Sequence, residues 1–218
     1  MFWLDEITLK ARKILEEYVK EFNDGEPLIP PIPIEYIIDF KYGIRIIPLE
    51  PRFQKEYSGY YDRSKKIIAV NKKENSRRQR FTSGHELCHH IQNHPNEAGL
   101  FRDRKGDIQE NTSDYTRKNI EREADRFAAE IIMPSPMVIT AFQNKINTKE
   151  VISENTWDDF IKTFKKGKLE LITLETVPTI SELATEFGVS KIAMRYKLIN
   201  LRLIPDEYQG IIGLAEFD

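Results

Sequence analysis

The chain has 218 residues, 40% of them apolar, with 33 basic residues against 35 acidic ones. That is enough for one domain of ordinary size with a small appendage, and the near-neutral charge announces no polyanionic partner. The single cysteine excludes an internal disulfide, and no apolar run is long enough for a signal peptide or a membrane span, so a soluble cytoplasmic protein is expected.

Ile7, Ala11, Ile14, Leu15, Tyr18, Val19 and Phe22 recur at helical spacing and predict an amphipathic helix over 4–23, ended by Asn23-Asp24-Gly25. Pro33 is placed to open a short helix to about Lys41, and Gly43 stops it. Ile44–Leu49 reads as a strand. Tyr57–Tyr61 and Lys65–Val70 read as two more, joined by the polar turn Asp62-Arg63-Ser64. A helix follows from about Ser76 to Asn93, then a polar loop over 101–118, then a second helix from about Lys118 to Met133. Residues 137–178 suggest one or two helices and a short strand at Leu169–Leu174, with no chemical motif.

The run HELCHH at 85–90 holds three of the four histidines. On a helix His85 and His89 are offset by only about 40°, so both imidazoles can reach one tetrahedral cation. Glu86 lies beside them and can take a proton from a metal-bound water, the arrangement of zinc peptidases. Phe81, Leu87, Cys88 and Ile91 form an apolar stripe opposite, which leaves Cys88 as a buried, inert thiol. His90 and His94 fall away from the pair and read as surface or second-layer residues. Gln92 and Pro95 stand where one class of zinc enzyme places its glycine and third histidine, so the third ligand must come from elsewhere.

The segment EREADRFAAEIIMP at 121–134 supplies the candidate. On its wheel Glu121, Asp125 and Ala128 share one face, and Ala124, Phe127 and Ile131 form the neighbouring core stripe. Glu123, Arg126 and Glu130 lie on the far side, where Arg126 can pair with Glu130 in water. Glu121 is therefore the expected third ligand. Asp125 can accept the free N–H of a ligating histidine, and the small Ala128 permits close helix approach. Taken alone, the segment reads first as an ordinary charged amphipathic helix; downstream of the histidine pair the ligand reading leads.

At the C-terminus, Leu183, Ala184 and Phe187 make one apolar face and Met194, Leu198 and Leu201 a second, with Gly188 at the turn and Ser190 as N-cap. This fits a helix-turn-helix whose candidate phosphate contacts are Lys191, Arg195 and Lys197. Residues 179–218 carry only four basic residues against six acidic ones, which favours a docked or partner-presenting module over DNA binding.

The stretch RFTSGHELCHH at 80–90, followed by EREADRFAAEIIMP at 121–134, resembles the ImmA/IrrE metallopeptidases, as do residues 58–71 and 180–204. The resemblance implies an α+β, zincin-like fold: a small twisted sheet over an active-site helix. It divides the chain into a peptidase domain over 1–136, a connecting helical region over 137–178 and the C-terminal module over 179–218. It implies His85, His89 and Glu121 as metal ligands, Glu86 as general base, zinc as the default metal and manganese as an alternative. Family members typically cleave a cognate helix-turn-helix repressor in stress-response or mobile-element control. Substrate is expected to add a strand to a sheet edge near Lys65–Val70. Tyr60, Tyr61 and Tyr115 are the candidates for oxyanion stabilisation. Residues 137–178 depart from the family pattern by their length. The rival expectation is a metal-binding regulator or antitoxin-like protein without proteolysis, in which four protein ligands usually close the site.

Overall fold

The computed structural model describes residues 5–94, 100–104, 115–145 and 179–204. The chain divides into two compact units, Met1–Pro134 and Ser135–Asp218.

In the first unit, helix α1 (Glu6–Phe22) opens on Asp5, whose side chain accepts from Thr8 N. It buries Ile7, Ala11, Ile14, Leu15 and Tyr18, the stripe its spacing predicts. Helix α2 (Ile34–Tyr36) runs straight into a π-helical turn at Ile37–Lys41, so the short helix expected after Pro33 is a composite. Strands β1 (Arg45–Pro48), β2 (Tyr57–Asp62), β3 (Ile67–Val70) and β4 (Leu100–Arg104) form one sheet in the order β1-β3-β2-β4. β1 pairs parallel to β3; β2 pairs antiparallel to both β3 and β4.

Two expectations are corrected here. β3 lies inside the sheet, hydrogen-bonded on both sides, so Lys65–Val70 offers no edge for an added strand. Its unbroken apolar run Ile67-Ile68-Ala69-Val70 is fully buried, as a central strand covered on both faces should be. Residues 100–104, four of which begin the loop expected over 101–118, form β4. Its sequence, Leu-Phe-Arg-Asp-Arg, is the charged composition with which proteins protect edge strands.

Helix α3 (Ser76–Ile91) is capped by Asn75, which accepts from Arg78 N at 2.9 Å. It packs on β2 at a point where only glycine fits: a Cβ on Gly59 would collide with the Thr82 methyl and lie 2.7 Å from the Ala69 carbonyl oxygen. Helix α4 (Tyr115–Ile132) packs on the other flank of α3. There a Cβ on Gly84 would lie 3.4 Å from Ala128 Cα, which is the close approach expected of that alanine. α1 completes the layer against α4 through Arg12 Nε to Glu130 Oε1 at 2.8 Å and Arg126 Nη1 to Asp5 Oδ2 at 3.0 Å. Both residues of the expected Arg126–Glu130 pair thus have ionic partners at this interface. Glu130 is only 3% exposed and faces α1, because the far side of the α4 wheel is a helix interface.

The second unit begins with α5 (Ser135–Lys145). A helix over 179–187, here α6, turns at Gly188 (φ +64°) into α7 (Lys191–Asn200). The Ser190 side chain accepts from Ala193 N at 3.1 Å, as an N-cap does. Leu183, Ala184, Phe187, Met194, Leu198 and Leu201 are all buried. Lys145 bridges to Glu182 and Glu186 of α6, each at 3.3 Å. The strand expected at Leu169–Leu174 lies outside the described residues.

Candidate metal centre

The site sits where α3 and α4 cross. A helix buried nearly all round should be apolar, yet Thr82 to His89 of α3 are all buried and include His85, Glu86 and His89. Polar groups resist such burial unless something in the interior repays it. Glu86 has no exposed surface at all.

His85, His89 and Glu121 each offer one ligand atom, and those atoms lie within 4.8 Å of one another. His85 Nε2 is 3.0 Å from His89 Nε2 and 3.1 Å from Glu121 Oε2, while His89 Nε2 is 3.9 Å from the same oxygen. Ligands at about 2.0–2.1 Å from a tetrahedral zinc stand roughly 3.3–3.4 Å apart, so the three observed spacings bracket that value.

Protonation points the same way. His85 Nδ1 is 2.9 Å from Asp125 Oδ1. A carboxylate only accepts, so in neutral His85 the proton sits on Nδ1 and Nε2 turns a lone pair toward Glu121 and His89. Electron-rich atoms aimed at one point require a cation there, a proton or a metal ion. Two imidazoles and a carboxylate at near-tetrahedral spacing suit a divalent metal. Asp125 holds the place expected of it, one turn along α4 from Glu121 and on the outer nitrogen of a candidate ligand.

His89 is buried, and burial lowers its pKa well below the ordinary 6.5, reinforced by the neighbouring His85 and His94. It is therefore neutral at physiological pH, the form a metal requires. Cys88 is fully buried, and burial drives its thiol pKa upward, so it is neither ligand nor nucleophile.

His90 does turn away: its Nδ1 meets the Tyr61 hydroxyl at 2.7 Å, and its ring lies edge-on to Tyr42 and Tyr61. That bond commits the Tyr61 hydroxyl to His90. Tyr60 is half-buried, and the Tyr115 side chain lies outside the described residues.

Of the two places expected for His94, surface or second layer, the structure gives the second. His94 is 6% exposed, and its Nδ1 lies 2.9 Å from His89 Nδ1. The cause is the way α3 ends. Asn93 takes the left-handed conformation (φ +53°), Asn93 N bonds His90 O at 3.2 Å and His94 N bonds His89 O at 3.2 Å. This is a Schellman C-cap, which folds the second residue past the cap onto the last full turn. An asparagine just beyond the last helical residues is the signal that could have placed His94 against His89.

Such a convergence of donors is that of a metal-dependent hydrolase centre. A family model described as the IrrE N-terminal-like domain, of the M78 peptidases, matches residues 41–198, more than two thirds of the chain, and the protein belongs to that family. The resemblance carried by the two motifs is thereby borne out, and with it a metallopeptidase class of activity on a protein substrate. No curated protein matches the chain. Among the described residues no helix is long and apolar enough to cross a membrane.

Proposed function

We propose that the protein is a zinc-dependent endopeptidase that cleaves a cognate helix-turn-helix repressor, with His85, His89 and Glu121 as metal ligands and Glu86 as general base. The observation that carries the reading is the approach of two imidazole nitrogens and a carboxylate oxygen to one point beside a wholly buried glutamate. Three protein ligands leave a fourth position for water, as catalytic zinc sites do and closed structural sites do not.

A bound zinc would polarise the scissile carbonyl and bring the pKa of its water toward about 7. Glu86 takes the water proton and returns it to the leaving amine. Asp125 keeps the His85 lone pair directed inward. Substrate binds extended, and among the described strands β1 and β4 lie at the sheet edges. β4 is the better site for an added strand, because it packs against α3, which carries both histidines and Glu86. Manganese would fit the same nitrogen and oxygen donors.

The two helices α6 and α7 serve to dock or present a partner. On α7, Lys197 is 8% exposed and Arg195 Nε and Nη2 are shielded from solvent, which leaves Lys191 as the phosphate contact of any DNA-bound form. Salt-sensitive duplex binding weakened by Lys191→Ala would favour the DNA-bound form instead.

The test is Glu86→Gln with a repressor encoded beside this gene as substrate. The variant is expected to bind metal as wild type does and to lose cleavage by at least about a hundredfold, the usual scale of general-base catalysis. Cleavage at the wild-type rate would refute the mechanism. A chain that binds metal but cleaves no repressor in either form would instead point to a regulator.

A further inference from the structure

On its outer side His89 Nδ1 lies 2.9 Å from His94 Nδ1, where His85 has Asp125. The path continues from His94. His94 Nε2 lies 3.5 Å from Glu123 Oε2; Gln92 Nε2 donates to Glu123 Oε1 at 2.6 Å; and Lys10 Nζ donates to Gln92 Oε1. The path runs from α1, through the end of α3, to α4 and back to the candidate centre. Arg63 holds the His94 backbone in place by donating to its carbonyl at 3.0 Å.

We propose that Lys10, Gln92, Glu123 and His94 form a hydrogen-bonded relay of positioning residues that fixes His89 in its Nδ1–H tautomer, leaving Nε2 bare for the metal.

The polarity follows from the two ends. Lys10 is donor-only, so it must meet the Gln92 carbonyl oxygen, which turns the Gln92 amide N–H outward. The Glu123 carboxylate is acceptor-only, so it takes that N–H on one oxygen and requires an N–H from His94 Nε2 on the other. Neutral His94 then has a lone pair on Nδ1, and His89 must supply the proton between the two Nδ1 atoms. One arrangement satisfies all four contacts, and it presents the His89 Nε2 lone pair toward His85 and Glu121. Both candidate ligands are thus set to one tautomer by carboxylates of α4: His85 directly by Asp125, and His89 at one remove by Glu123. The two acids stand two residues apart on α4 and reach their histidines from different sides.

The inference rests on the metal-site reading above, and its test has a readout that needs no activity. Metal-free protein labelled with nitrogen-15 in its histidines is measured by long-range proton–nitrogen correlation. His89 is expected to show protonated Nδ1 and unprotonated Nε2 in wild type. His94→Ala and Glu123→Ala are expected to mix the tautomers at His89 and to weaken zinc binding roughly ten- to a hundredfold, the usual effect of losing an outer partner of a metal ligand. His94→Asn, whose side-chain oxygen can accept from Nδ1, restores much of both. Glu123 is partly exposed, so its replacement separates a relay effect from misfolding. A wild-type His89 carrying its proton on Nε2, or an unchanged tautomer and zinc affinity in both alanine variants, overturns the relay. If His89 shows the expected tautomer while zinc does not bind the wild type, the metal reading fails and the relay stands.

Discussion

At the scale of single residues, spacing made the centre legible. His85, Glu86 and His89 are one helical turn of α3, and a turn is local enough to be read from sequence. Glu121 and Asp125 came from one face of a second helix, and the structure brings both to His85. The wheel left His94 between surface and second layer, because it has no meaning past Ile91, where the backbone leaves helical geometry at Asn93. Glu130 was misread for a different reason: a wheel separates faces but does not say which face meets another helix. Two residue-level outcomes follow. Asp125→Ala should weaken zinc binding roughly ten- to a hundredfold while the fold persists, measured by competition with a chelating dye. Gly59→Ala should destabilise by about 1–3 kcal/mol, seen as a lower urea midpoint, because its methyl has no space between Thr82 and the Ala69 carbonyl.

At the scale of elements, helices α1, α3 and α4 and strands β1, β2 and β3 fall close to their expected bounds, since their patterns are local. What sequence did not reveal was strand order. Pairing between β1 and β3 skips over β2, and β4 joins β2 from beyond α3. No local pattern encodes such distant partners, so sequence alone presents an inner strand as an edge and a charged edge strand as a loop. The α1–α4 contact is equally non-local. Glu130→Ala should cost about 1–3 kcal/mol by stripping Arg12 of a partner at a buried interface, again read from the urea midpoint. A midpoint equal to wild type would mean that α1 docks by its apolar stripe alone.

For the molecule as a whole, burial ties the protonation of the candidate centre to stability. Burial lowers the pKa of His89, His90 and His94 below the ordinary 6.5, against an opposing pull from Glu123 at His94. Below about pH 6.5 the unfolded chain takes up protons on these rings while the folded chain resists them. Metal-free protein should therefore lose stability as pH falls from 7.5 to 5.5, and a urea midpoint that rose on acidification would contradict the burial described here. Zinc should raise the melting temperature in a concentration-dependent way, by about 2.7 kcal/mol of stability at a hundred times its dissociation constant. The most direct test of the centre is zinc stoichiometry and affinity across five proteins: wild type, His85→Ala, His89→Ala, Glu121→Ala and Glu86→Gln. One zinc per chain is predicted for wild type and Glu86→Gln, with binding lost or weakened by orders of magnitude in the other three. Wild-type affinity in Glu121→Ala, or loss of zinc in Glu86→Gln, would contradict the assignment of ligands and base.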